Sequence, residues 1–468
     1  MGRKKKLPFI ENLEITGFAA EGKSIARYNN LVVFVSGLVP GDVADVQIVR
    51  KRKKYMEGRA VKIIKKSNDR VIPFCSHFGM CGGCKWQLLS YEKQLLYKQQ
   101  QVSDQLQRIA KVPLPEIQPI IGSEHQQYYR NKLDYTFSAT RWLNDEEIRS
   151  ENENIDRRAL GFHLPGKFNR VVNIDTCYLQ PNESNLIRNR VREFTLKENY
   201  DYYHHESYTG LMRNLIIRNT NLGEWMVIVV FQHDDTEKIQ SLMNMLASEF
   251  PFITSLLYMV NPKMNDTTHD LDYHVFSGRD HILEYLDGLT FKIGPKSFFQ
   301  TNTPQALALY RLALKLAELK GDELVYDLYT GTGTIANFIA PHCQHVIGIE
   351  NVAEAIDDAR VNSELNKIHN TTFFAGDIKD IMNEEFLTEH GHPEVIITDP
   401  PRTGMHSTVV ETIIKAAPKK IVYISCNPAT QARDIQLLGE RYQVTVVQPL
   451  DMFPHTHHVE NVVRLDLL

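Results

Sequence analysis

Cys426 closes the stretch Ile-Val-Tyr-Ile-Ser-Cys-Asn-Pro-Ala-Thr (Ile421 to Thr430), a place where a thiol could act as a nucleophile. Two carboxylates stand in segments of similar character: Asp399 follows the apolar run 395–398 and precedes Pro400-Pro401-Arg402, and Glu460 follows His455-Thr456-His457-His458-Val459. A thiol and a carboxylate together suit chemistry at carbon 5 of a pyrimidine. That carbon is too weak a nucleophile to take an electrophilic group unaided, but thiolate addition at carbon 6 converts the ring to an enolate whose carbon 5 can attack. A base must then take the carbon 5 proton so that the thiolate can leave. Glu460 is the candidate, since a partly buried carboxylate has the raised pKa such a base needs. Taken singly, Cys426 also reads as a buried strand-end thiol and Glu460 as a surface carboxylate.

The electrophile would come from a cofactor bound just upstream. Residues 325–334 read as a strand running into Thr330-Gly331-Thr332-Gly333-Thr334, with Asp327 ahead of the turn. Nineteen positions beyond Gly331 a second strand ends in Glu350, placed to accept from both ribose hydroxyls of an adenosine. Asp377 ends a third strand and suits the adenine amino edge. A dinucleotide is the rival ligand, but the third spaced glycine of that fingerprint is missing, and the three carboxylates favour S-adenosylmethionine. Its sulfonium would point toward Asp399. An aromatic residue follows Asp-Pro-Pro in many amino-methyltransferases, whereas Arg402 follows here, which favours the thiol-assisted route over methylation of an exocyclic amine.

Regular strand and helix alternation from about residue 291 predicts a Rossmann-like, doubly wound parallel sheet for 291–468. Residues 67–290 read as a mixed α/β region with helices over 91–109 and 236–250. Residues 1–66 alternate short strands with turns and a basic hairpin at Arg50 to Lys54, a pattern for a small β-barrel that grips RNA backbone. The 468 residues carry a formal charge of −4, yet the first 66 hold 15 Lys and Arg against six Asp and Glu. The plainer reading of that excess is a solvated strand edge. No run is long and apolar enough to span a bilayer, and Arg3-Lys4-Lys5-Lys6 is not followed by an apolar signal segment, so a soluble, cytoplasmic protein without a membrane partner is expected.

Six cysteines in this length are not a disulfide scaffold. Cys75, Cys81 and Cys84 lie in a Gly-rich loop, Cys177 follows a strand, and four thiolates suit either tetrahedral zinc or an iron-sulfur cluster. Cys343 fits no motif. The stretches Tyr128 to Lys132 and Gly210 to Leu215 join basic and apolar or aromatic residues and are candidate RNA contacts, though each also reads as a strand-edge charge.

The motifs Asp399-Pro-Pro-Arg-Thr-Gly404, Ser425-Cys-Asn-Pro-Ala-Thr430 and Phe453-Pro-His-Thr-His-His-Val-Glu460 resemble those of the RNA (uracil-5-)-methyltransferase family, and the likeness extends over essentially the whole chain. It implies Cys426 as nucleophile, Glu460 as base and Asp399 at the junction of cofactor and uracil. It implies cofactor contacts from Gln300, Tyr329, Gly331, Thr334, Glu350, Asp377 and Asp399. It also implies a TRAM domain at the N-terminus and a [4Fe-4S] cluster on Cys75, Cys81, Cys84 and Cys177. Thr330 departs from the family pattern, which often has cysteine there. A barrel and a cluster together favour ribosomal RNA, specifically 23S, over transfer RNA, and a monomer is expected. A non-catalytic RNA-binding factor and an exocyclic-amine methyltransferase are the remaining readings.

Overall fold

The computed structural model describes residues 7–143, 145–150 and 155–468; the basic run Arg3 to Lys6 lies outside them. Among the described residues, three large sheets follow one another along the chain, with a two-stranded hairpin between the second and third. The first contains β1 (Phe9–Glu14), β2 (Gly17–Phe18), β3 (Ser24–Tyr28), β4 (Leu31–Ser36), β5 (Val43–Lys51) and β6 (Tyr55–Lys65), in the order β1-β5-β6-β4-β3-β2. Along β5 the apolar Ala44, Val46 and Ile48 are buried while Asp45 and Gln47 between them are not, the period of two of a half-buried strand. The β5–β6 hairpin turns through Arg52, Lys53 and Lys54, all exposed.

The second sheet contains β7 (Lys132–Ser138), β8 (Ala159–Leu164), β9 (Lys167–Asn173), β10 (Met212–Asn219), β11 (Trp225–Phe231), β12 (Ile253–Val260) and β13 (Tyr273–Gly278), ordered β13-β12-β11-β10-β7-β8-β9. Every residue of β11 is buried, because both faces of the sheet are covered. Trp225, Val227, Val229 and Phe231 pack under the helices Asn182–Lys197 and Thr236–Glu249. Met226, Ile228 and Val230 join a core with the hairpin β14 (Ile282–Leu286) and β15 (Leu289–Ile293) and the helix Thr303–Ala317. That core continues into the third sheet, so the central and C-terminal parts share an interior.

The third sheet contains β16 (Leu324–Leu328), β17 (His345–Glu350), β18 (Thr371–Ala375), β19 (Val395–Thr398), β20 (Lys420–Ser425), β21 (Tyr442–Leu450) and β22 (Glu460–Leu467), ordered β18-β17-β16-β19-β20-β22-β21. β16 to β20 are mutually parallel, and β22 runs antiparallel to both its neighbours. Strand order reverses between β16 and β19, which opens a crevice at their carboxyl ends. The Rossmann-like expectation holds, with the last two strands as an antiparallel addition. Among the described residues no helix is long and apolar enough to cross a membrane.

Candidate active site

Five strand ends and one strand start converge on the crevice. β16 runs into the turn Tyr329 to Gly333, where Tyr329 (φ 63°), Gly331 (φ 55°) and Gly333 (φ 72°) are all left-handed. Glycine is required at 333, since a Cβ there would sit 2.9 Å from that of Ala359. At Gly331 a Cβ would meet nothing within 4 Å, so the turn's open side has room for a ligand against the backbone. Asp327 is buried; its Oδ2 accepts from Thr330 Oγ1 (2.5 Å) and the Ala336 amide (3.1 Å), whereas Oδ1 is buried without a partner. Burial, with the charge of Asp399 adding to it, pushes Asp327 up to about 7.

Glu350, at the end of β17, accepts from the amides of Gly331 (3.2 Å) and Val352 (3.0 Å), which fixes its carboxylate beside the turn. Asp377 follows β18 and accepts from the Lys379 amide (3.2 Å) and ammonium (2.7 Å), an ion pair that holds it below the usual carboxylate range. Tyr329, Asn351, Asp377, Met405 and His406 line a cavity of about 390 Å³. Thr334 Oγ1 accepts from the buried Tyr310 hydroxyl (3.3 Å), and Gln300 is held through its carbonyl by Asn131 Nδ2 (2.9 Å). The open glycine turn, the orphaned Asp327 oxygen and the carboxylates beside the cavity fit an adenosine with a cationic tail.

The reacting end lies at β19, β20 and β22. The β20–β22 register ends with Ser425 paired to Asn461; Cys426 is the next residue after β20 and Glu460 the first of β22, near enough that the charge of Glu460 bears on the thiol. Cys426 is half-buried; burial and the charges of Glu460 and Asp399 push its thiol up to about 11, while Arg402, by charge and hydrogen bond, pulls it down. Glu460 is almost wholly buried rather than partly so, and burial together with Asp399 raises it to about 8 against the pull of Arg402. Burial alone takes Asp399 to about 7.

Asp434 holds the Arg402 and Cys426 loops together. Fully buried, it accepts from the Met405 amide (2.8 Å), the Tyr423 hydroxyl (2.7 Å) and Arg433 (2.7 Å). Arg402 O accepts from Asn427 Nδ2 (3.0 Å) and Thr430 Oγ1 (3.1 Å). Asn427 also caps the helix Pro428–Leu438, whose proline occupies the first turn. No motif spacing marks Asp434; its role emerges only from the packing.

The segment before Glu460 is clamped from several sides. His455, at φ 66°, gives its carbonyl to the amides of Lys85 (2.9 Å) and Trp86 (3.0 Å), and its amide bonds Gln94 Oε1 (2.8 Å). Tyr129 donates to Pro454 O (2.9 Å), and Arg130 lies over the Phe453 ring at 5.2 Å. A Cβ on Gly22, in the short 3-10 turn between β2 and β3, would come within 2.8 Å of His457 Cβ.

Cys75, Cys81, Cys84 and Cys177 line one cavity of about 470 Å³ with Arg130, Lys132, Thr456 and His458. Burial, then each other's charges, pushes Cys81 and Cys84 up to about 12, so four thiolates there need a cation to hold them. Among the described residues no group of three or more His, Cys, Asp or Glu side chains is gathered closely enough to hold a single metal ion. Cys343 is buried and apart. Arg213, expected as an RNA contact, is 1% exposed and bonded to Asn261 O (2.8 Å), Asn265 O (3.0 Å) and Asp266 (2.7 Å); it braces the 261–266 turn and cannot reach a phosphate.

The family model for tRNA (Uracil-5-)-methyltransferase matches residues 279–467, and that for the TRAM domain matches residues 10–61. An "Uncharacterized RNA methyltransferase" of Bacteroides thetaiotaomicron is 56% identical over 96% of this chain and 100% of its own length, and one of Porphyromonas gingivalis is 53% identical over 97% and 99%. Among solved structures, Pyrococcus abyssi tRNA (uracil-54, C5)-methyltransferase in complex with S-adenosyl-L-homocysteine superposes with a TM-score of 0.76 at 27% identity, covering 97% of this chain and 100% of that one.

Proposed function

Because this chain belongs to the S-adenosylmethionine-dependent RNA (uracil-5-)-methyltransferase family, we propose that it methylates carbon 5 of a uridine, in 23S ribosomal RNA, through a covalent adduct at Cys426. The observation that carries this reading is the gathering of Cys426, Glu460, Asp399 and Arg402 where the β20–β22 ladder ends, near enough that their charges shift one another.

Cys426 Sγ, as thiolate, forms a bond to uracil carbon 6, and the displaced π electrons pass to the carbon 4 oxygen as an enolate. Arg402 favours the thiolate against the burial that opposes it. The cofactor, when bound, supplies an electrophilic methyl group. Gln300, Tyr329, Gly331, Thr334, Glu350, Asp377 and Asp399 would hold it with that methyl facing carbon 5. Glu460 then takes the carbon 5 proton, the carbon 5–carbon 6 double bond re-forms, and Cys426 leaves as thiolate. Asp399, one carboxylate between the two halves of the site, would orient uracil against the donor.

Cys75, Cys81, Cys84 and Cys177 would carry a [4Fe-4S] cluster with a structural role, supported by their shared cavity and by the mutual repulsion a bound cation would relieve. The TRAM domain and the exposed β5–β6 hairpin would hold RNA backbone in a cytoplasmic monomer. Transfer RNA is a second reading with an observation of its own. The Pyrococcus abyssi enzyme, named for a transfer RNA substrate, aligns with this chain from end to end, so the three-sheet build is compatible with either RNA. Offering the purified protein separate ribosomal and transfer RNA lacking 5-methyluridine, with methyl-labelled cofactor, and mapping the product decides between them. Label in neither RNA would overturn the proposal.

A further inference from the structure

The helix Tyr91–Ile109 buries Gln94, Lys98, Val102 and Leu106, a stripe at fourfold spacing whose first two members are polar. Lys98 and Asp451, each with a side chain 0% exposed, form an ion pair of 2.5 Å. The pair is the centre of a network. Asp451 also accepts from the Phe453 amide (3.0 Å) and the Tyr91 hydroxyl (2.9 Å), and Lys98 donates to Phe453 O (3.0 Å). Tyr91's oxygen in turn accepts from the Ser123 amide (2.6 Å). Both backbone groups of Phe453 are thereby fixed, immediately after β21 and seven residues before Glu460.

An apolar pair of similar volume commonly stabilises a buried site as well as or better than an ion pair, because two charges must be taken out of water. Stability alone therefore does not account for a lysine and an aspartate here. The turn they hold is strained, with His455 left-handed, and such a conformation persists only where its surroundings over-determine it. Gln94 supplies the next clamp, one helical turn before Lys98, through the His455 amide. The stripe thus grips successive points on the path from β21 to β22, whose first residue is Glu460.

We infer that Lys98 and Asp451 are positioning residues for the base: they set the course of residues 451–459, hence where the Glu460 carboxylate stands near Cys426, and act on adduct breakdown rather than on methyl transfer. The inference rests on the covalent reading proposed above.

The test compares wild type, Glu460→Gln, Lys98→Met and the double variant Lys98→Met/Asp451→Asn. The double variant leaves no unpaired buried charge, and the asparagine oxygen can still accept from the Phe453 amide, so it remains informative if the single variant misfolds. For the double variant, single-turnover methyl transfer should stay within about threefold of wild type while steady-state turnover falls at least about tenfold. A protein–RNA adduct should persist on denaturing gels with ordinary RNA, amide exchange over 452–459 should quicken, and the melting temperature should hold or rise. If methyl transfer and turnover fall together, or no adduct appears where Glu460→Gln gives one, the positioning role is overturned and the covalent route stands. If Glu460→Gln gives none either, the covalent reading falls and this inference with it.

Discussion

Cys426 and Glu460 lie near each other where β20 and β22 part, each one residue beyond the Ser425–Asn461 pair. The two groups proposed to act in sequence on carbons 6 and 5 are thus placed by one strand pairing. A shift of that register by a single residue would turn one of them to the other face of the sheet.

Removing either group should therefore stop the reaction at a different point. Cys426→Ala should lower turnover by at least about 10^4-fold, in the range for loss of a nucleophile, and give no covalent species. Glu460→Gln should add to the ring and take the methyl group but retain the RNA. 5-Fluorouridine RNA should trap wild type likewise, since fluorine does not leave as a proton. Denaturing electrophoresis reads all three, and full turnover in Cys426→Ala would refute the scheme.

Adduct breakdown should accelerate with rising pH through about 8 and then level, because Glu460 must be ionised to act and burial holds its proton to that pH. Arg402 lowers both Glu460 and Cys426, so Arg402→Met should move the inflection to higher pH. Rapid-quench rates between pH 6 and 10 measure this.

Stability should run the other way. The folded chain keeps the Glu460 proton from its unfolded value of 4.5 up to about 8, so this group's contribution is complete below 4.5 and declines as pH rises through that window. Glu460→Gln should gain on wild type from pH 5 to pH 9, on the order of 2 °C in melting temperature. An unchanged difference between the two pH values would show that Glu460 is already ionised in the free protein.

Changing Arg50, Lys51, Arg52, Lys53 and Lys54 to Gln should weaken RNA binding and flatten its salt dependence. The slope of log affinity against log salt should drop by about 0.7–0.9 for each phosphate that is no longer neutralised. These side chains are exposed, so the melting temperature should hold. Equal slopes would mark the hairpin as a solvated edge only.

Anaerobically purified protein should be brown and contain about four irons, the content of one [4Fe-4S] cluster. Alanine at Cys75, Cys81, Cys84 or Cys177 should lose iron and lower the melting temperature. Colourless protein with one zinc per chain would exclude the cluster and leave the methyl-transfer scheme intact.

The parallel part of the Rossmann-like sheet was legible because each of its five strands carries a strong local signal: an apolar run, then Gly331-Thr332-Gly333, Glu350, Asp377, Asp399 or Cys426 at its end. The helix Tyr91–Ile109 was legible in extent but not in orientation. The apolar Leu96 is 53% exposed, while Lys98 is buried because an acid hundreds of residues away meets it. Arg213 failed for the same reason, its partners being supplied by the 261–266 turn. Asp434 left no trace in motif spacing because, besides its neighbour Arg433, it bonds to two separate segments at Met405 and Tyr423. Charges neutralised by distant residues are invisible to local pattern, and here they are the ones that hold the loops.

The polar stripe on that helix also bears on synthesis. Gln94 precedes its partner His455 by 361 positions, and Lys98 precedes Asp451 by 353. At about 5–20 residues per second, the helix leaves the ribosome roughly 20–70 s before the segment that covers it. An all-apolar face would wait that long as a sticky surface, whereas Gln94 and Lys98 keep half of it hydrated until the β21–β22 turn arrives.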